Sequence, residues 1–474
     1  MPARVLRGVV AAVALTGAAL AAAGPVAGAA DAPPVAPSTP VLSLRRAPGV
    51  VATAVADRRL ASELDRVLAE PALGAARDRS CLSVRNPGGR VAYARNPAMA
   101  LIPASTTKVL TAAVAVARLG PDFRYTTEVR AAAAPADGTV GGDLWFVGAG
   151  DPLLATGDFA AQAGYHRGPR LATPLEVLAD RIAGAGVRRI AGRVVGDESR
   201  YDAQRYLPTW SPGYITQGAV GPQSALTVNG GFVQWEPREV PAPAPATNAA
   251  AVLTSLLRAR GVAVDGEAGE GTAPGGTTLV AGIDSPPLPE VLGVLLQESD
   301  NLTAELLVKE LGTRFGGAGT TAAGLGVVRS TVASYGLGTE GLAWADGSGL
   351  DRSGRLSCDA LQTVLARDGE QGVVSRSLPV AGRNGTLTRR FTAGPAAGRI
   401  RAKTGSLQGV TGLAGWAATN DGRSVQFALL ANDLPGDGAG FGLQDRVANA
   451  VSSYPQAPPP GELAPRPATI VAEG

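Results

Sequence analysis

The chain has 474 residues, 45% of them hydrophobic, which is enough for two or three domains with buried cores. The net charge is +3 and the basic residues form no concentrated stripe, so no nucleic-acid partner is expected. One histidine and two cysteines, Cys81 and Cys358, cannot by themselves build a Cys/His zinc site, and we expect no metal or other cofactor. The sequence leaves open whether the two cysteines form a disulfide or remain free thiols.

Residues 1–29 have the features of a secretory signal peptide. Arg4 and Arg7 precede a short apolar run at residues 9–23, and Ala27-Gly28-Ala29 fits a small-x-small cleavage site. We therefore expect an extracytoplasmic protein, secreted or associated with the cell wall, with no transmembrane span after cleavage. An uncleaved N-terminal anchor is the alternative. Residues 30–53 are rich in proline, alanine and serine and are predicted to be a linker.

The rest of the chain alternates between two sequence patterns, one rich in predicted helices and one in short predicted strands. Residues 54–124 predict a helix, a hairpin with an Asn-Pro-Gly-Gly turn and a second helix. Residues 125–285 consist of short strand-like pieces with one clear helix at 248–261, which indicates an inserted, mostly β domain. Helices, neighbouring strands and a last helix follow in residues 286–450. We predict that 54–124 and 286–450 form one split catalytic domain, and that 451–474 is a proline-rich tail.

Lysine is rare in this chain, and its positions are informative. All but three of the 43 basic residues are arginines, and the lysines are Lys108, Lys309 and Lys403. In "IPASTTKVLTAA", Ser105 and Lys108 are three residues apart and would share one face at the start of a helix, where free backbone N–H groups favour negative charge. A neutral lysine can take the serine proton, whereas arginine stays charged because its pKa is above ~12. The alternative is a surface lysine beside an N-cap serine.

The neighbouring residues in the sequence predict where the other two lysines lie. Lys403 lies in "RAKTGSLQG" on a predicted strand, where Gly405 would let a bound chain approach and where a second cation would lower the pKa of Lys108. Lys309 is predicted to lie on a solvated helix face.

The tripeptide Ser299-Asp300-Asn301 falls at a junction between two helical segments. A turn at this junction would direct Ser299 and Asn301 into a cleft. The simpler interpretation is a helix N-cap, because serine, aspartate and asparagine are the usual residues there.

Together, the ordered motifs S-x-x-K, S-D-N and K-T-G resemble those of the penicillin-binding protein 4-type D-alanyl-D-alanine carboxypeptidases. These serine peptidases carry a large insert between the first two motifs, which fits the long gap between Ser105 and Ser299. Further similar stretches are "GDLWFVGAGDPLL", "QSALTVNGG", "ADGSGLDRSGRLS" and "LPVAGRNGTLTRRF". Two features depart from the family pattern: the insert looks short, and Asp351 stands where serine is expected.

The resemblance implies an α+β fold, with an antiparallel sheet flanked by helices as in β-lactamases and transpeptidases. It implies a stem peptide of peptidoglycan ending in D-Ala-D-Ala as substrate, and β-lactam antibiotics as covalent ligands. The activity would be that of a carboxypeptidase, with endopeptidase activity on cross-links as an addition.

The resemblance also implies a role for each matching residue. Ser105 would be acylated, with Lys108 as its base, and Ser299 with Lys403 would pass a proton to the leaving amine. The substrate-binding residues would be Asn301 for an amide, Thr404 and Ser406 for the terminal carboxylate, and the strand around Gly405 for the peptide backbone. The backbone N–H groups of Ser105 and Ser406 would form an oxyanion hole.

Two other functions are alternatives: a β-lactamase and a non-catalytic cell-wall-binding protein. A class A β-lactamase needs a glutamate in an E-x-x-L-N segment, and none of Glu305, Glu310, Glu340 and Glu370 begins one. A non-catalytic cell-wall-binding protein would leave the retained lysines unexplained. The single histidine, His166, has no nucleophile elbow around it, so a Ser-His-Asp triad is not expected.

Overall fold

The computed structural model describes residues 43–162 and 169–465. The predicted signal peptide, residues 30–42 of the predicted linker, His166 and residues 466–474 lie outside this part of the chain. No helix within the described ranges is both long enough and apolar enough to cross a membrane.

The N-terminal part of the split domain has its predicted helix–hairpin–helix order. Its elements are α1 (Pro48–Leu68), β1 (Ser80–Arg85), β2 (Val91–Arg95), a 3₁₀ turn at Ala104–Thr106 and α2 (Thr107–Leu119). Helix α1 begins at Pro48, inside the segment predicted to be a linker, because proline at the first helical position supplies a preset φ and needs no N–H partner. The folded part therefore begins earlier than residue 54.

The insert contains more helix than its sequence pattern indicates. Its described strands are β3 (Thr126–Ala131), β4 (Thr139–Val140), β5 (Leu144–Val147), β6 (Leu154–Ala155), β7 (Thr173–Pro174), β8 (Arg189–Ile190), β9 (Val194–Asp197), β10 (Phe232–Gln234), β11 (Val240–Pro241), β12 (Ala263–Val264), β13 (Gly269–Glu270) and β14 (Thr278–Asp284). Its described helices are α3 (Gly157–Gln162), α4 (Leu175–Gly184), α5 (Pro212–Thr216) and α6 (Pro245–Arg258).

The main sheet of the insert has the strand order β13-β9-β5-β3-β14. Helices α4 and α6 pack on it, and their buried faces repeat every three to four residues, as at Leu175, Leu178 and Ile182. The insert is thus a sheet covered by helices, with its own apolar core.

The C-terminal part completes the catalytic domain. Its elements are α7 (Leu288–Gln297), α8 (Asn301–Phe315), α9 (Thr321–Ala333), α10 (Cys358–Asp368), α11 (Val373–Ser377), β15 (Ile400–Leu407), β16 (Val410–Ala418), β17 (Ser424–Asn432), α12 (Asp437–Ser452) and α13 (Pro460–Leu463). Strands from both parts form one antiparallel sheet in the order β15-β16-β17-β1-β2. This mixed architecture confirms the α+β fold class.

The sheet separates two apolar cores. Leu64 of α1 and Val447 of α12 pack on one face, whereas Val109 of α2 and Leu307 of α8 pack in the core on the other face. Because Ser105 precedes α2 and Ser299 precedes α8, the second core fixes both motifs relative to each other.

Two further contacts tie the ends of the domain together. Cys81 of β1 and Cys358 of α10 form a disulfide with a Cα–Cα distance of 5.9 Å, which settles the question left open by the sequence. In the predicted tail, Tyr454 is buried and its hydroxyl donates to Asp57 of α1 at 2.9 Å. The first residues of the tail therefore belong to the folded domain.

Candidate active site

Ser105 lies in the 3₁₀ turn that leads into α2, as the helix-start pattern predicts. The preceding residue, Ala104, has a φ of 47°, a left-handed conformation that is uncommon for a residue with a side chain. Close packing accompanies this conformation. Gly349 approaches so closely that a Cβ there would lie 1.9 Å from the Ala104 carbonyl oxygen. The turn is thus held rigidly, and Ser105 is presented at its apex.

Lys108 is fully buried and has three hydrogen-bond partners. Its Nζ lies 3.0 Å from Ser105 Oγ, 2.6 Å from Asn301 Oδ1 and 2.7 Å from the Ser348 carbonyl oxygen. None of these partners carries a formal charge. Burial therefore lowers the pKa of Lys108 to about 8, against the opposing effect of nearby carboxylates.

The second serine–lysine pair faces the first. Lys403 of β15 is fully buried, and its Nζ donates to Ser299 Oγ at 2.8 Å and to the Thr404 carbonyl oxygen at 2.9 Å. Burial, together with the charge of Lys108, lowers the pKa of Lys403 well below its ordinary value. The predicted proximity of the two cations is consistent with this effect.

The Ser-Asp-Asn segment combines both interpretations of its sequence. Asp300 is the N-cap of α8 and accepts the Thr303 N–H at 2.7 Å, as the simpler interpretation requires. Ser299, with a φ of 61°, and Asn301 flank this cap and reach Lys403 and Lys108 respectively. The cap therefore fixes the turn that places the two flanking side chains.

An open cavity of about 630 Å³ joins these groups. It is lined by side chains of the turn, the α7–α8 junction, β15, the loop before β15 and α12: Ser105, Ser299, Thr386, Thr388, Arg389, Arg390, Thr404, Ser406 and Phe441. Within the described residues, strand β15 is an outer strand of the sheet, and residues 379–381 pair only with its first half. The strand edge from Thr404 onwards is therefore available to a bound peptide.

Close packing inside the domain gives one structural reason for glycine at position 405, and the predicted approach of a bound chain stays a prediction. A Cβ at this position would lie 2.8 Å from the Pro103 carbonyl oxygen and 3.2 Å from the Thr106 side chain. The missing side chain thus lets β15 pack directly against the turn that carries Ser105. Its contribution to the site is close packing against the turn behind Ser105.

The prediction for Lys309 is wrong. Its side chain is buried rather than solvated, and its Nζ donates to Asp202 at 2.5 Å and to the Gln204 carbonyl oxygen at 2.9 Å. Both partners come from the insert, so Lys309 joins α8 to the inserted domain instead of lining the cleft.

Sequence reasoning also missed the residues behind Lys108. The stretch "ADGSGLDRSGRLS" predicts a tight loop, but it does not indicate that the Ser348 carbonyl oxygen accepts from Lys108. The sequence presents Glu305 only as a candidate β-lactamase glutamate, whereas the structure places it against this loop. No sequence signal reports such a contact, because its partners are far apart along the chain.

A serine beside a buried lysine, with a second such pair across the cleft, is an arrangement typical of serine hydrolases that use lysine as the base. Residues 60–243 and 237–449 match the D-Ala-D-Ala carboxypeptidase 3 (S13) family, and the chain belongs to this family. It is a serine-type carboxypeptidase.

Two relatives and one solved structure illustrate the similarity. The chain is 29% identical to the D-alanyl-D-alanine carboxypeptidase of Actinomadura sp. (strain R39), over 83% of this chain and 85% of the relative. It is 33% identical to carboxypeptidase DacB of Mycolicibacterium smegmatis, over 79% and 80%. Penicillin-binding protein 4 (dacB) from Haemophilus influenzae has the same fold, with a TM-score of 0.69 and 21% identity over 79% of this chain and 97% of that one. A second structure of that protein is a complex with a β-lactam.

Proposed function

We propose that this protein is an extracytoplasmic D-Ala-D-Ala carboxypeptidase that cleaves peptidoglycan stem peptides through an acyl-enzyme on Ser105. The observation that carries the proposal is the contact between Lys108 and Ser105, 3.0 Å from Nζ to Oγ. Lys108 is buried, and all of its hydrogen-bond partners are neutral. Family membership supports the substrate class. The signal-peptide pattern and the Cys81–Cys358 disulfide support an oxidising location outside the cytoplasm.

Acylation follows from the first pair. Neutral Lys108 takes the proton of Ser105, whose Oγ attacks the carbonyl carbon of the penultimate D-Ala. The backbone N–H groups of Ser105 and Ser406 stabilise the developing oxyanion.

Release of the leaving group follows from the second pair. Lys403 donates to Ser299, and this pair supplies a proton to the amine of the departing D-Ala as the C–N bond breaks. Water then attacks the ester carbonyl carbon, and neutral Lys403 takes the water proton through Ser299. The bond between the carbonyl carbon and Ser105 Oγ breaks, and Lys108 returns its proton to Oγ.

Substrate orientation is assigned to Asn301, Thr404 and Ser406. The Asn301 side chain already donates from Nδ2 to the Ala219 carbonyl oxygen at 2.7 Å and accepts from Lys108. The remaining N–H of its Nδ2 group is the donor for the substrate amide. Thr404 and Ser406 line the cavity with their hydroxyl groups and bind the terminal carboxylate, beside the guanidinium of Arg389.

The same acylation step makes β-lactams covalent inhibitors, because the ring amide occupies the place of the scissile peptide. Endopeptidase action on a cross-link uses the same bond chemistry, and the open cavity leaves room for a larger leaving group. A β-lactamase would differ in releasing the adduct rapidly.

The test is incubation with a labelled penicillin, followed by peptide mass mapping. We expect one adduct on the peptide that contains Ser105, no adduct in Ser105→Ala, and a half-life of the adduct long compared with the time of labelling. Ser353→Ala, on a surface loop outside the cavity, serves as the matched control and should label normally. Absence of label on Ser105 at saturating drug would refute the proposal, and rapid turnover would favour a β-lactamase.

A further inference from the structure

Glu305 is a buried carboxyl group that the proposed reaction does not use. It lies on α8 one turn after Asn301, and its side chain is fully buried. Its Oε1 accepts the backbone N–H of Ser348 at 2.8 Å and that of Gly347 at 3.1 Å. Glu305 therefore holds the backbone of residues 346–351, called the 346–351 loop below.

A second buried carboxylate holds the same loop from within. Asp346 accepts the backbone N–H groups of Gly349 and Asp351, each at 2.7 Å, and the indole N–H of Trp210 at 3.0 Å. Buried carboxyl groups are retained only where hydrogen bonds satisfy them. Here they are satisfied by the 346–351 loop and by one tryptophan of the insert, and they fix the path of the loop backbone.

The 346–351 loop is closely packed against its neighbours. A Cβ on Gly347 would lie 2.6 Å from Val308 of α8, and a Cβ on Gly349 would lie 1.9 Å from the carbonyl oxygen of Ala104. Thr111 of α2 also donates to the Gly347 carbonyl oxygen at 2.8 Å. The loop is therefore wedged between α8 and the turn that carries Ser105.

The loop supplies one of the hydrogen-bond acceptors of Lys108. A neutral amine has two N–H bonds and one lone pair. The Ser348 carbonyl oxygen and Asn301 Oδ1, at 2.7 and 2.6 Å from Nζ, accept the two N–H bonds. The lone pair is left to face Ser105 Oγ, the third neighbour at 3.0 Å.

We propose that Glu305 is a positioning residue, which fixes the Ser348 carbonyl oxygen and thereby directs the lone pair of Lys108 at Ser105. This inference rests on the proposed function. In the step concerned, the O–H bond of Ser105 breaks, a third N–H bond forms on Lys108, and the oxygen lone pair attacks the carbonyl carbon. Glu305 itself neither gains nor loses a proton in this step.

Glutamine is a close replacement for Glu305. Burial, with a contribution from the charge of Asp346, raises the pKa of Glu305 above its ordinary value and so favours the neutral form. Oε1 is the nearer acceptor for both loop N–H groups, and Oε2 adds only a longer contact, at 3.2 Å, with the Gly347 N–H. The amide oxygen of a glutamine can take that position, whereas leucine offers no acceptor.

The experiment separates the chemical step from binding by rapid mixing with a labelled penicillin, which gives a dissociation constant for the non-covalent complex and a rate constant for acylation. For Glu305→Leu we expect the rate constant to fall about 10- to 100-fold, as for a misdirected catalytic group, with a dissociation constant within about twofold of wild type. Glu305→Gln should acylate within about threefold of wild type, because the acceptor is restored.

Val447→Ala is the control for loss of stability. Val447 is buried in the core on the opposite face of the sheet, so this variant should lower the melting temperature while leaving the acylation rate constant unchanged. If Glu305→Leu does not fold, Glu305→Asp takes its place, because its shorter side chain withdraws the carboxyl group from Ser348 while adding no bulk. It should acylate more slowly than Glu305→Gln.

The outcomes are distinct. Acylation of Glu305→Leu or Glu305→Asp at the wild-type rate overturns the positioning role and leaves the proposed function standing. Equal losses in Glu305→Gln and Glu305→Leu, in folded protein, also overturn it, since the restored acceptor would then have had no effect. If wild-type protein is not acylated on Ser105, the proposed function fails and this inference fails with it.

Discussion

Lys108 and Lys309 are buried lysines on two helices that pack together, yet their surroundings differ in one respect. Lys108 of α2 contacts a hydroxyl, a side-chain amide and a backbone carbonyl, all of them neutral. Lys309 of α8 contacts the carboxylate of Asp202 at 2.5 Å and a backbone carbonyl. Burial lowers the pKa of both, but only in Lys309 does a direct ion pair oppose the loss of the proton.

The comparison shows that scarcity of lysine does not by itself mark a catalytic residue. Arginine is used almost everywhere else in this chain, and all three lysines are buried. Lys108 and Lys403 contact Ser105 and Ser299 respectively, whereas Lys309 joins the insert to α8. In the proposed mechanism, the charge of the hydrogen-bond partners separates a basic lysine from a structural one. The following predictions test that distinction.

Apart from Lys108 itself, the largest effect is expected at Lys403. Lys403→Met removes the cation that contacts Ser299, and we expect the rate of D-Ala release to fall about 10²–10⁴-fold, the range for loss of a general acid–base group. Lys309→Met is the matched control and should keep the rate within about threefold, because its side chain contacts Asp202 and Gln204 rather than either active-site serine. If folded Lys403→Met and Lys309→Met lose the same fraction of the D-Ala release rate, the proposed difference between the two lysines is wrong.

The pH dependence should report the neutral state of Lys108. Because the base must be unprotonated and burial lowers its pKa to about 8, kcat/KM should rise about tenfold per pH unit and level off near pH 8. The ionisable groups that act on Lys108 are Asp346, Glu305, Asp300 and Lys403. The measurement is kcat/KM on a stem peptide between pH 5.5 and 9.5, in the range where melting temperature shows the enzyme folded. A flat profile would contradict a lysine base.

At Lys309 we expect a loss of stability. Lys309→Met removes the partner of Asp202, which is partly exposed and can be solvated, so the free energy of unfolding should fall by about 1–3 kcal/mol. Denaturant unfolding measures it, with Lys309→Arg as the variant that keeps the positive charge. A stability equal to wild type would mean that this ion pair does not hold the insert.

The smallest effect is expected at Arg389, which is exposed at the cavity wall. Arg389→Ala should raise KM about three- to tenfold, in line with about 1 kcal/mol for an exposed charge pair, for a peptide ending in a free carboxylate. A peptide ending in an amide should show no such change, and Arg383→Ala, outside the cavity, is the control. The same increase in KM for both peptides would show that Arg389 does not bind the terminal carboxylate.

The sequence predicted the three motifs and their convergence because each motif has a local structural cause. Pro103 and the apolar run after Thr106 place Ser105 and Lys108 at a helix start, and the alternation around Lys403 places it on a strand. The split domain was predicted from the change in texture along the chain, and both parts do share one sheet.

What sequence could not supply depends on contacts between distant segments. Lys309 meets Asp202 and Glu305 meets the 346–351 loop only after the insert and α8 have packed. The short strand-like pieces predict a mostly β insert, although α4 carries a clear helical spacing of apolar residues. Proline-rich composition predicts a linker before residue 54, whereas Pro48 in fact occupies the first turn of α1.

The most direct test of a proton-accepting lysine is the release of D-Ala from a stem peptide, measured by mass spectrometry for wild type and Lys108→Arg. This substitution keeps the positive charge and removes the ability to lose it near neutral pH. Lys309→Arg, which makes the same exchange in the other region, is the control. The account predicts near-total loss of D-Ala release in folded Lys108→Arg and substantial activity in Lys309→Arg. Normal release by Lys108→Arg would contradict it.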